Sequence, residues 1–549
     1  MVPRPYDLLR PSASLTAEAD FFLGVIRRHA GYAMSKGRFI PGCAEIPLFA
    51  DGWDVGADAP VEWVREQKQW GWADDAYFNL PDRWVLANGA SQQVLYRLLD
   101  GLSRVTGDPV PQAAAVASAR FVLEEMQAPN GLLYWGGHQA LDLRSGSRVW
   151  AQPEHELKAH FPAYDFLWSV NADATRRFLE ACWGAHVMDW SSLEMNRHGS
   201  YDTPVPAQWD HGFVDPPVFE PSKGLSFIST GSDLIHSAVH LGALSGDPRP
   251  TAWAERMDGR YEKTRNVRTG LRGYQFTCYE EGDRAMMQLG PEFGEAAKEG
   301  TVLGRHQLRM VYGMAPIMVF QLNRRHPGKV NRLVGHALAD LTAAARHVFD
   351  GETGLLSAML TDGTRLNATD VKRLGYYKPA VFKPLPAEGR HLHAAVLGWS
   401  VGHDPKLWAY VRALARVAGL GEIGKESSAP RCLAENGTQN GWNADTLMAV
   451  IELGVETGDV SFLKQAAHIG RSLIAARFDG TVFRSVPGGS RARFDDPLPL
   501  ALLHLVTALR GQPRPDDVPP AFAQFHGFHA GAGRVYDTTF LYGLPKDED

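Results

Sequence analysis

Apolar residues recur along this chain at helical spacing in paired runs, and the two runs of each pair are divided by the same punctuation: glycine, then aspartate, then a second amphipathic stretch. The pattern appears as "RVTGDPVPQAAAVASARFVLEEM", "ALSGDPRPTAWAERM", "SVGHDPKLWAYVRALARVAG" and "VETGDVSFLKQAAHIGRSLIAAR". Glycine supplies a left-handed residue that ends a helix. Aspartate accepts from the first free amides of the next one, and a proline at the first helical position gives up no hydrogen bond. These runs predict helical hairpins.

Short β-prone stretches follow several second helices, as in "NGLLYWGG", "TGLRGYQFT" and "DGTVFRSV". "TGLLSAML" fills the same slot after "RRHPGKVNRLVGHALADLTAAARHVF", so the unit reads as helix, turn, helix, short strand. Uneven intervals between units disfavour a linear solenoid of fixed period and favour a closed ring with long insertions. The expected fold is all-α: one α/α barrel over residues 1–549, a toroid of about seven helical pairs with short β-hairpin insertions. Loops at one end of such a ring converge on its cavity, which is where a site would be built.

Composition narrows the function. An apolar fraction of 44% with 21% charged residues is that of a globular protein with a large core. A net charge of −6 argues against a broad basic face for nucleic acid, so an anionic ligand must meet local positive charge. The cysteines Cys43, Cys182, Cys278 and Cys432 share no CxxC spacing and read as free thiols. The first residues, "MVPRPYDLLRPSASLTAEAD", lack an apolar leader core and no later run is long enough for a bilayer. The location expected from this is cytoplasmic, or periplasmic or secreted if a leader has been removed.

Unusual polar residues are densest between 131 and 202: "GLLYWGGHQALDL", "PEHELKAHFPAYD", the helix "DATRRFLEACWGAHVMDW" and "NRHGSYD". His138 follows two glycines, where backbone or ligand can approach closely; it also reads as a half-buried turn histidine. "EHELK" starts like a zinc-protease motif, but Ala159 stands where the second histidine is required. Glu154 and Glu156 also read as a solvated acidic helix start, and Arg197-His198-Gly199 as a basic turn after a helix. His186, between Ala185 and Val187, reads as a core histidine. Together His138, Glu156 and His198 would offer two imidazoles and one carboxylate, a set that suits Mn²⁺, Ni²⁺, Co²⁺ or Zn²⁺ better than Ca²⁺.

Ordered blocks along most of the chain carry a resemblance: "GGH" at 136–138, "HELK" at 155–158 with "FPAYD", "ATRRF" at 174–178, "WGAHVMDW" at 183–190 and "RHGSY" at 197–201. It continues through "KGLSFISTGSDLIHSA" at 223–238, "GYQFT" at 273–277, "GDRAMMQLGPEFG" at 282–294 and "GYYKP" at 375–379. With these blocks the chain resembles the family 2 polysaccharide lyases, pectate lyases built on an α/α barrel.

The resemblance implies a metal held by His138, Glu156 and His198, with manganese the leading ion, and Arg197 as Brønsted base. It implies an acidic polysaccharide or oligosaccharide substrate, 4-linked galacturonan, cleaved by β-elimination to 4,5-unsaturated products. Arginine keeps its proton to above about pH 12, so a basic role needs an electropositive, poorly solvated setting, which a neighbouring metal ion supplies. Candidate sugar and carboxylate contacts are Arg284, Tyr376, Tyr377, Lys378 and Trp135. Residues 66–84 depart from the family pattern. The rival readings are a lyase on another uronan, a glycoside hydrolase using Glu154 or Glu156 with Asp165, and an acidic-sugar-binding protein on the same scaffold.

Overall fold

A computed structural model describes residues 13–64, 81–373, 375–426, 441–520 and 542–544. The insertion at 66–84 therefore falls largely outside the described residues, as does Cys432. Among the described residues sixteen α-helices carry the fold. In chain order they are α1 (Ala13–Lys36), α2 (Gln93–Thr106), α3 (Val110–Glu125), α4 (Tyr164–Val170), α5 (Ala172–His186), α6 (Ile228–Ser245), α7 (Pro248–Glu262) and the short α8 (Arg284–Leu289) and α9 (Arg305–Arg309). There follow α10 (Ala315–Arg325), α11 (Asn331–Ala343), α12 (Gly389–Gly402), α13 (Pro405–Val417), α14 (Ala444–Thr457), α15 (Val460–Arg477) and α16 (Pro497–Arg510).

Burial sorts these helices into two rings. Every residue of α16 from Leu498 to Leu509 is buried, and α6 is buried continuously from Ile228 to Leu241. A helix buried on all faces belongs to the inside of the ring. In α3, by contrast, the buried positions Pro111, Ala114, Ala115, Ser118, Ala119, Val122 and Leu123 fall on one stripe, so that helix covers the outside. The inner ring runs α2, α4, α6, α10, α12, α14, α16, and each inner helix packs on an outer partner: α3, α5, α7, α11, α13, α15 and, closing the circle, α1 against α16. Tyr96 on α2 meets Phe166 on α4 with ring centroids 5.9 Å apart, which completes the inner ring. The seven pairs expected from the punctuation are present.

The punctuation works as the sequence implies. Gly107, Gly246 and Gly458 adopt φ values of 75°, 77° and 70° at helix ends. Asp247 and Asp459 then accept from the amides of Arg249 and Ser461. In "VGHDP" the left-handed residue is His403 (φ 54°) rather than the glycine before it, and Asp404 caps the next helix. The short strands are smaller than expected. "DGTVFRSV" makes only isolated bridges, Phe478 with Phe483 and Arg484 with Ala492.

Two β features lie in the loops that lead from outer helices into inner ones. One is a sheet of Glu62–Val64, Arg83–Ala87, Gln139–Asp142 and Arg148–Trp150. The other is a two-stranded antiparallel ribbon of Glu154–Glu156 and His198–Ser200. Their strands come from the connections between α1 and α2, between α3 and α4 and between α5 and α6, which all lead from outer to inner helices and so lie at the same end of the ring. Among the described residues no helix is long and apolar enough to cross a membrane.

Candidate functional site

The ribbon sets the site. His198 pairs directly with Glu156, Gly199 with His155 and Ser200 with Glu154. Side chains alternate faces along a strand and directly opposed residues share one, so Glu156 and His198 project together while His155 points the other way. Glu154 and Glu156 are thus strand residues and not an acidic helix start. His198 and Gly199 likewise belong to a paired strand, with Arg197 in the bend just before it, and α5 stops at His186 with two short strands intervening.

His138 reaches the same face from the sheet. Gly136 has φ 99°, and a Cβ there would stand 2.8 Å from the Glu156 carbonyl oxygen. Asn88, fully buried, donates to the Gly136 carbonyl at 2.6 Å and accepts from its amide at 3.1 Å, fixing the turn. A Cβ on Gly137 would fall 1.6 Å from Glu156 Oε2. Only glycine leaves room for the carboxylate.

His138 Nε2 lies 3.3 Å from Glu156 Oε2, and His198 Nε2 lies 3.7 Å from Glu156 Oε1. The three residues form a cluster whose ligand atoms all fall within 4.8 Å of one another. Arg197 directs Nε to His198 Nε2 at 3.3 Å and stands 3.5 Å from Glu156 Oε1. Glu154 approaches His198 Nδ1 from the rim at 3.6 Å. Burial alone would raise the Glu156 carboxyl, but His138, His198, Lys158 and Arg197 hold it well below the usual carboxylate range. Glu156 is therefore ionised, and its Oε2 is buried without a hydrogen bond.

Behind the ribbon, His155 Nδ1 and His186 Nε2 meet at 2.8 Å, and His186 Nδ1 faces the Asn196 carbonyl at 2.9 Å. Burial lowers both imidazoles, His186 to about 4, which keeps them neutral. A Cβ on Gly199 would stand 2.7 Å from His186 Nε2, so the glycine of "RHG" admits the supporting ring. The core reading of His186 holds.

Two supports, each inside a quoted block, were not singled out in sequence. Lys158 is buried beside Glu156, its stem against Gly137. Asp233, buried on α6, accepts from the backbone amides of residues 158–161 and anchors the loop after Glu156; the Ala159 amide lies at 2.5 Å. An aspartate in the middle of an inner helix buried continuously from Ile228 to Leu241 was the available clue to the second.

The expected substrate contacts divide. Trp135 is buried and meets Phe178 edge-on at 5.0 Å, so it packs beneath the "GGH" turn and offers no face to a sugar. Tyr377 is also buried, its amide donating to Gln288 at 2.8 Å, in a small core with Phe382 and Leu289. Tyr376 is 46% exposed and lies within electrostatic reach of both Arg197 and Arg284. The Arg284 guanidinium stacks 4.0 Å over Tyr279 and 4.9 Å over Tyr376. Lys378 is exposed. Asp165, offered above as a hydrolase acid, faces His240 and Arg325 instead of Glu156.

A family model described as "Periplasmic pectate lyase" matches residues 46–531. The chain is 30% identical to the pectate disaccharide-lyase of Dickeya dadantii (strain 3937) over 559 residues, covering 96% of each. Among solved structures it is similar to an α-1,2-mannosidase from Trichoderma reesei (TM-score 0.47, 10% identity, 97% of this chain and 99% of that one). It is also similar to cellobiose 2-epimerase from Bacillus thermoamylovorans B4167 (TM-score 0.39, 11% identity, 92% and 96%). The family description overturns the cytoplasmic location expected above. That expectation rested on the lack of an apolar leader in the first residues, which does not decide the compartment.

Proposed function

The chain belongs to the periplasmic pectate lyase family and is a polysaccharide lyase, and on that premise we propose that it cleaves 4-linked α-galacturonan by metal-assisted β-elimination with Arg197 as the base. The observation that carries the proposal is the shared face of the ribbon: Glu156 and His198 in register, His138 beside them, and Arg197 next in sequence with its guanidinium turned to the same carboxylate.

The residues suit a divalent transition ion. Two imidazole nitrogens flank a buried ionised carboxylate, one oxygen of which accepts no hydrogen bond, and Gly137 keeps that oxygen's surroundings clear. Nitrogen donors favour Mn²⁺, Co²⁺, Ni²⁺ or Zn²⁺ over Ca²⁺. Bound there, such an ion supplies Lewis-acid withdrawal at the substrate's C6 carboxylate, which makes the C5 proton acidic.

The chain's own residues do the rest. Arg197 accepts the C5 proton on its guanidine; the electron pair left at C5 forms the C4–C5 double bond, and the C4–O4 bond breaks with its pair leaving on O4, which takes a proton from water. That role needs the neutral guanidine, which an ion held by His138, Glu156 and His198 would favour. Glu156 is held in place by strand pairing and by the loop that Asp233 anchors, so Arg197 has a fixed partner against which to orient. Arg284 and Tyr376 supply a cation and an aromatic face for a neighbouring uronate. The name of the Dickeya relative supports a disaccharide as product.

The test mixes the protein with polygalacturonate and follows the ultraviolet absorbance of the new double bond. Chelation is expected to stop it and Mn²⁺ or a neighbouring transition ion to restore it. Full activity after exhaustive chelation, or rescue by Ca²⁺ alone, contradicts the proposal.

A further inference from the structure

A second histidine cluster lies away from the ribbon, toward the C-terminal ends of α6, α10 and α16. Asp165 on α4, His240 on α6 and His326 at the end of α10 point ligand atoms at one another, all within 4.8 Å. Their burial is that of a protein-built site, with His240 buried and the other two half-buried. We propose that these three residues bind a second divalent transition ion, for which zinc is the best match. The inference is independent of the lyase chemistry.

His240 Nδ1 is 3.2 Å from Asp165 Oδ1 and 3.3 Å from His326 Nε2. A tetrahedral ion with ligand bonds of about 2.0–2.1 Å separates its ligand atoms by about 3.3–3.4 Å, so both spacings match an edge of that polyhedron. Protons alone serve the arrangement poorly. One proton on His240 Nδ1 can point at Asp165 or at His326 and leaves the other contact without a linear hydrogen bond. A cation between the three atoms satisfies all of them.

The surroundings fit an ion and little else. The adjoining cavity has a volume of about 20 Å³, room for one water-sized body and not for a sugar. His236 lines it one helical turn before His240, 6% exposed, with its Nδ1 buried and without a hydrogen-bond partner. His236 stands beside the cluster and outside the three residues whose ligand atoms fall within 4.8 Å of one another, so it adds a polar wall to the cavity. Asp165 keeps its second oxygen on Arg325, which also pairs with Asp516; this outer contact fixes the carboxylate. Among the charged residues lining the cavity, the carboxylates of Asp165, Asp516 and Asp517 outnumber the guanidiniums of Arg97 and Arg325, which favours a cation. His326 also lines an outer cavity of about 480 Å³ with Pro248, Thr251 and Lys329, an entry path from solvent. An ion here ties α4 and α6 to the end of α10 and so stabilises the inner ring.

The test is a metal count on chelated protein dialysed against Zn²⁺ and, in parallel, Co²⁺. Two ions per chain are expected for the wild type and one each for His138→Ala and His326→Gln. His326→Gln should keep elimination activity within about twofold, and Zn²⁺ should raise the Tm of His138→Ala but not of the double variant. His240→Asn provides a second ligand change should His326→Gln fail to fold. If His138→Ala binds no ion and its Tm ignores Zn²⁺, or if His326→Gln and His240→Asn still hold two, the second site does not exist. A single ion that survives His138→Ala and is lost in His326→Gln supports this site and removes the catalytic one.

Discussion

His198 stands directly opposite Glu156 in an antiparallel pair, while His155, one residue away, faces Gly199 and the core. Strand alternation therefore separates two histidines that the sequence "EHE" and "RHG" leaves equivalent. Glu156→Gln is expected to lower metal affinity at least tenfold, whereas His155→Ala should keep full metal content. It should lose stability by about 1–3 kcal/mol through the buried His186 contact left unmade. Metal analysis paired with urea melts reads both. Loss of metal in His155→Ala with an unchanged melt reverses the assignment of faces.

Gly137 makes a sharper geometric claim. A Cβ there meets Glu156 Oε2 at 1.6 Å, so Gly137→Ala must displace the carboxylate and with it the metal. Gly335, mid-helix on α11 with nothing within 4 Å of an added Cβ, is the control; its change to alanine should stabilise the protein by about 0.5–1 kcal/mol. Isothermal titration with Mn²⁺ separates the two. Wild-type affinity in Gly137→Ala means that the turn does not press on the carboxylate.

What the sequence made legible follows from how local each signal is. Gly-Asp punctuation acts within a few residues, so the hairpins at Gly107, Gly246 and Gly458 were readable, and so was the ring they imply. That His138, Glu156 and His198 come together was readable through the resemblance. Its face assignment needed the register between strands some forty residues apart. Trp135 and Tyr377 were misplaced because an aromatic side chain beside a motif looks the same in sequence whether it faces a cleft or a core, and both are buried. Asp233 and Lys158 stand inside quoted blocks, but their roles rest on an amide contact between distant segments and on packing against Gly137, which spacing does not record.

Glu452, buried on α14, is clasped by Arg324 at 3.0 Å and by Arg514 at 2.5 Å, joining α10 and the segment after α16. Burial would raise its carboxyl, but the two guanidiniums hold it far below the ordinary glutamate value of 4.5. A depressed folded value contributes stability that is present above pH 4.5 and lost as pH falls below it. Glu452→Gln should therefore cost about 3 kcal/mol at pH 7. The gap to wild type should close by about 1 kcal/mol per pH unit below 4.5. Denaturant melts at pH 7 and 3.5 check this; a gap that stays constant between them contradicts it.

The most direct measurement on the central claim is the elimination rate of Arg197→Ala at saturating galacturonan, taken with its metal content. Arg197 is proposed as the proton acceptor and not as a ligand, so metal should stay near wild type while the rate falls by about 10² to 10⁴. Arg197→Lys, a cation of different reach, should not recover it. If Arg197→Ala holds its metal and keeps more than about a tenth of the wild-type rate, Arg197 is not the base.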